Sequence, residues 1–74
     1  MKEKKVIEAI KTLKNQEVPF ELWFREDPID YTMEVLDEAK VLTGPIEDEN
    51  GDLTSEFLYW EAFIDGATEM ILRM

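Results

Sequence analysis

Carboxylates are the side chains with which this sequence could do chemistry. Eighteen Asp and Glu stand against eight Lys and Arg, and there is neither histidine nor cysteine. Two pairs, Glu34/Glu38 and Glu61/Asp65, are spaced four residues apart, which on a helix makes them neighbours on one surface. A glycosidase-type acid–base pair needs two carboxylates in different environments facing each other across a cleft, and helical neighbours on a solvated face do not supply that. Without histidine, the usual general base and imidazole ligand are missing, and so is the Glu-x-x-His element of carboxylate di-metal bundles. Without cysteine there is no thiol nucleophile, disulfide, thiolate zinc site or iron–sulfur cluster.

The run Glu47-Asp48-Glu49-Asn50-Gly51-Asp52 has the composition of a calcium loop but not its register. With Gly51 at loop position 6, Asp48 and Asn50 take positions 3 and 5. Positions 1 and 12 then fall on Ile46 and Phe57, where carboxylates are required. No glycine-rich phosphate loop or serine-nucleophile elbow occurs. The expectation is a protein that is not an enzyme and uses no cofactor and no metal.

The elements that position these acids follow from periodicity. Residues 3–14 place Val6, Ala9, Ile10 and Leu13 on one helical face. Residues 18–24 are ambiguous: Val18, Phe20, Leu22 and Phe24 alternate as in a strand, whereas Pro19 suits the first turn of a short helix. A short helix is preferred, since no neighbouring strand presents itself. Asp27-Pro28 reads as an N-cap and first helical residue, and Gly44-Pro45 as a stop, giving a helix over about 28–42. Its expected inner face is Ile29, Met33, Leu36 and Ala39, flanked by Val35 and Leu42. Asp30, Glu34, Asp37 and Glu38 lie opposite. Residues 44–54, with Asn50-Gly51, form a loop or a short hairpin.

The C-terminal segment predicts a helix over about 55–73 capped by Thr54 or Ser55, at a cost of roughly 1 kcal/mol for Gly66. Trp60, Phe63, Ile64, Ala67, Met70, Ile71 and Met74 fall in one arc of roughly 120°. Glu61, Asp65, Thr68, Glu69 and Arg73 fall on the far side, where Leu58 and Leu72 stand out as apolar. The expected core is Val6, Ile10, Leu13, Phe20, Phe24, Met33, Leu36, Trp60, Ile64, Ala67 and Ile71. Eight aromatics are a heavy load for so small a core, so one or two read as interface anchors.

The order of two short helices, a capped helix and the connection Gly44-Pro45-Ile46…Asn50-Gly51 resembles a winged helix-turn-helix over residues 3–57. That resemblance implies that LDEAKVLTGPIEDENGDLTSE spans the end of a recognition helix and a wing. The sequence departs where such a fold would meet DNA. The would-be recognition helix carries Asp30, Glu34, Asp37 and Glu38 with only Lys40, and the would-be wing carries Glu47, Asp48, Glu49 and Asp52. These would face phosphates and repel them, so a winged helix here implies a protein partner.

The formal net charge is −10, and it is unevenly placed. Residues 1–14 hold five lysines against two glutamates, net +3, while residues 15–74 hold three basic side chains against sixteen acids, net −13. Direct nucleic-acid binding, which draws on Lys and Arg, is not expected. Nor is membrane insertion, because no apolar run reaches the roughly 18–20 residues a span needs. A cysteine-free chain without a signal sequence reads as cytoplasmic.

The expected architecture is a single, mainly α domain of three or four helices over 1–74, with a small β-hairpin near 44–54 left open. The expected function is a small non-catalytic acidic protein that binds a basic partner surface and inhibits or modulates it. A nucleic-acid-binding protein approached by nucleic-acid mimicry is the favoured partner, in the manner of phage or mobile-element inhibitors. The contact set is Glu34, Asp37, Glu38, Glu47, Asp48, Glu49 and Asp52, with Trp23, Leu58, Tyr59 and Leu72 as apolar interface candidates. The alternative is a structural or regulatory module, monomer or homodimer, that self-associates through its C-terminal helix.

Overall fold

Four helices follow one another in the computed structural model, which describes residues 1–16 and 19–73: α1 (Lys2–Asn15), α2 (Phe20–Glu26), α3 (Pro28–Ala39) and α4 (Ser55–Leu72). α2 begins directly after Pro19, so the segment left open between strand and helix is helical from Phe20. Val18, the proposed start of the strand alternative, and Met74, placed on the α4 arc, lie outside the described residues.

Pro28 occupies the first turn of α3 as expected, and Asp27 stands at its N-cap, but the Asp27 side chain makes no capping hydrogen bond. α3 also ends earlier than the Gly44-Pro45 stop implied. Lys40 adopts the left-handed conformation (φ 56°, ψ 43°), and its N–H donates to Leu36 O at 2.8 Å. That closes the helix after Ala39 by the turn that glycine usually makes. α4 is capped by Thr54, whose Oγ1 accepts from the Phe57 N–H at 3.4 Å and donates to Pro45 O at 2.9 Å.

The hairpin near 44–54, and with it the winged-helix arrangement, is not formed. Among the described residues there is no strand, only an isolated antiparallel bridge between Glu47 and Leu53. The turn itself is sound, with Gly51 at φ 82° and its N–H donating to Asp48 O at 3.1 Å. The arms stop for local reasons. The Thr54 N–H still donates across to Ile46 O at 2.9 Å, but Pro45 has no N–H to extend a ladder and α4 begins at Ser55.

α3 is the hub: it packs against α1, α2 and α4, and α1 also meets α4. The molecule measures 38 × 28 × 18 Å, so its thin dimension holds no more than two helix layers and leaves every helix an open flank. The α1 face is as expected, with Val6, Ala9, Ile10 and Leu13 buried. Phe20, Phe24, Leu36, Trp60, Ile64 and Ile71 are buried too, and Ala67 is partly so.

α3 is rotated relative to its expected face. Tyr31, Thr32, Val35 and Leu36 point inward, while Ile29 and Met33 are 45% and 40% exposed. At 100° per residue this is a turn of roughly 70°. α4 is turned by a similar angle. Phe57 and Thr68 are wholly buried, Met70 is 70% exposed, and Leu72, expected on the polar face, is half-buried against the core. Each rotation brings a hydroxyl-bearing side chain into the interior. The Tyr31 hydroxyl and Thr68 Oγ1 lie 2.9 Å apart and satisfy each other in the interior. Tyr31 is also ringed by Phe20, Trp23 and Phe24 at centroid distances of 6.0, 5.5 and 5.2 Å. Thr32, the other buried polar side chain of α3, donates to Pro28 O at 2.8 Å. Among the described residues no buried side-chain polar atom lacks a partner.

Candidate partner-binding groove

Because Met33 turns outward, α3 exposes an apolar residue inside its acidic stripe. It lines a groove of about 560 Å³ between α2, α3 and the segment after α3. Trp23, Met33, Leu36, Leu42 and Ile46 supply apolar lining, while Asp30, Glu34 and Asp37 supply carboxylates and Lys40 one ammonium. Asp30, Glu34 and Asp37 stand at i, i+4 and i+7, so they form one row along α3. Trp23 is half-buried, held edge-on to Tyr31 at an interplanar angle of 90°.

The groove wall formed by residues 41–46 is fastened to α4 by Glu56. Its carboxylate accepts from Thr43 Oγ1 at 2.6 Å, the Thr43 N–H at 3.2 Å and the Gly44 N–H at 2.9 Å. The Thr43 hydroxyl is the largest reason that the Glu56 carboxyl is held below the ordinary glutamate range. A β-carbon at Gly44 would sit 3.3 Å from Glu56 Oε1, so even that position is shaped to the clamp. Asp30 behaves oppositely. Its carboxyl is pushed above the ordinary aspartate range, first by a hydrogen bond with the Asp27 carboxyl and then by that group's like charge.

Two of the seven sequence-derived acidic contact residues line the groove. Glu34 and Asp37 line the groove together with Trp23. Glu38 faces away, in a shallow depression with Lys5, Glu8 and Thr12 of α1. Glu47 is in the isolated bridge, and Glu49 lies exposed in the turn. Asp48 organises that turn, its Oδ1 accepting from the Asn50 and Asp52 N–H groups at 2.9 and 3.0 Å. Asp52 is exposed, and its carbonyl accepts from the Asp48 N–H at 2.8 Å. Leu58 and Tyr59 are 46% and 53% exposed on α4, and Tyr59 OH donates to Glu3 Oε1 at 3.3 Å. Leu72 belongs to the core margin instead.

Sequence reasoning missed Met33, Leu42 and Ile46 as groove lining, Asp30 as a rim acid and Glu56 as a clamp. By periodicity Met33 and Leu42 read as buried or flanking the buried face, and Ile46 as loop. Asp30 was visible on the polar face of α3, whereas nothing in the sequence joins Glu56 to Thr43.

Among the described residues no three acids converge as a metal site, and no helix is long and apolar enough to cross a membrane. No protein-family model, curated protein or solved structure matches the chain.

Proposed function

We propose that this chain is a small non-catalytic acidic protein that binds a basic partner and inhibits or modulates it. A nucleic-acid-binding protein is the partner class that fits best. The observation that carries this reading is the row Asp30, Glu34 and Asp37 beside Trp23 on an open groove. The three carboxylates span about 10 Å of helix axis, and one DNA strand carries about three phosphates over the same length. The row thus offers phosphate-like charge density on a rigid helix, and the net charge of −10 adds long-range steering.

The test is capture of a basic partner by the immobilised chain, followed by salt and nucleic-acid competition. The reading predicts binding that weakens steeply with salt and is displaced by nucleic acid. Binding indifferent to both would sink it.

A second reading has its own observation. Leu58 and Met70 are exposed on α4 with Ala62 and Gly66 between them at four-residue steps, an open ridge suited to a second copy of α4. Sedimentation at several concentrations separates the readings, and a dimer abolished by Leu58→Glu or Met70→Glu would favour this one.

A further inference from the structure

We infer that the groove between α2, α3 and residues 40–46 takes a short amphipathic helix of the partner, with an apolar row seated in it and Lys or Arg along one flank. This rests on the proposed reading of the chain as an acidic partner-binding protein. It names what part of the partner is held.

The asymmetry of the groove sets the pattern. The carboxylates all come from α3, whereas α2 and the segment 41–46 contribute Trp23, Leu42 and Ile46. A complementary segment therefore needs cations on one flank and apolar side chains on the other. Purely cationic tracts would leave Trp23, Met33 and Ile46 unmatched. Purely apolar segments would strand Asp30, Glu34 and Asp37 against a low-dielectric surface, which is costly for charges without partners.

Secondary structure follows from the backbone. An extended segment is held by adding to a free strand edge, and the described residues contain no strand. The helices that border the groove have their central N–H and C=O groups paired internally. An extended intruder would bring unpaired amides onto Trp23 and Met33, whereas a helix brings its own already paired. The acidic row spans about 10 Å, which matches two helical turns, so anchors at i, i+3 or i+4, and i+7 of the occupant fit its length. Met33, unbranched and exposed at the middle of the row, suits a surface that adapts to differing apolar anchors.

The test uses the isotope-labelled full chain, titrated at low salt with two synthetic probes followed by NMR. One is a helical leucine–lysine peptide with leucines at i, i+3 or i+4, and i+7. The other is oligolysine of equal charge. The inference predicts amide shifts confined to 23, 30–37 and 40–46, and oligolysine binding at least about tenfold weaker. The deciding variant is Met33→Glu, at a position exposed enough to accept it. It adds a negative charge but removes the apolar seat, so it weakens the leucine–lysine peptide about tenfold, whereas purely electrostatic attraction would tighten it. Oligolysine binding as tightly as the peptide, with Met33→Glu strengthening both, overturns the helix-in-groove inference and leaves the acidic docking reading standing. Shifts centred on 58, 59, 62 and 70 of α4 also overturn it. Failure of both probes to bind at low salt counts against the docking reading itself.

Discussion

The Tyr31 hydroxyl and Thr68 Oγ1, thirty-seven residues apart, form a 2.9 Å hydrogen bond inside the core. Each hydroxyl is the other's hydrogen-bond partner there. They lie on the buried faces of α3 and α4, both of which are rotated from the faces that periodicity implies. That rotation turns Met33 and Met70 outward and opens the groove beside the acidic row.

Removing one partner strands the other. Tyr31→Phe and Thr68→Val each destabilise the fold by about 1–3 kcal/mol, while the double variant lies close to the parent. Chemical denaturation of all four forms checks this, the signature being a double-mutant coupling close in size to the sum of the two single losses.

Tyr31 also carries an alkaline prediction. Burial pushes its phenol above the ordinary tyrosine value, and the Thr68 hydrogen bond offsets only part of that. A group whose folded value is raised contributes stability below its unfolded value, about 10, that is lost as the pH rises through the folded value. Denaturation followed between neutral pH and strong alkali is expected to show this loss, and Tyr31→Phe is expected to reduce it.

Glu56 gives the acid counterpart. Its carboxyl is held low, so its contribution is present above the ordinary glutamate range of about 4.3 and is lost as the pH falls through the folded value. Glu56→Gln is expected to flatten that acid loss and to free residues 41–46. Binding at the groove then weakens several-fold although Glu56 does not line it. Hydrogen exchange at Thr43 and Gly44 reads the release directly.

Lys40 spends stability at the edge of the groove. A non-glycine residue in the left-handed region costs about 1–2 kcal/mol, part of which glycine returns as chain entropy. Lys40→Gly is expected to stabilise the fold by about 1 kcal/mol, raising the melting temperature by roughly 4–8 °C. It also removes a cation from the groove lining, so a basic peptide binds several-fold more tightly. Calorimetry and titration of the same variant check both halves.

What could be read ahead of the structure follows the range of the interactions involved. The α1 face, Pro28 at the start of α3 and Thr54 at the cap of α4 are set by neighbours in sequence, and they appear as the spacing implies. The rotations of α3 and α4 are not, because the buried faces include Tyr31, Thr32 and Thr68, whose hydroxyls periodicity scores as polar. The early end of α3 was hidden as well, since lysine is not the residue that marks a left-handed turn. Glu34, Asp37 and Trp23 were visible as acids and as an aromatic to spare. Their assembly into one groove depended on Met33 facing outward.

The most direct measurement compares two charge-neutralised variants against the same helical leucine–lysine peptide at low and high salt. One is Asp30→Asn/Glu34→Gln/Asp37→Asn, and the other is Glu47→Gln/Glu49→Gln/Asp52→Asn. Both remove the same formal charge, so net attraction alone would affect them equally. The groove account predicts that the first loses most of the affinity and most of the salt dependence, while the second stays close to the parent. Equal losses, or a larger loss in the second, would contradict it.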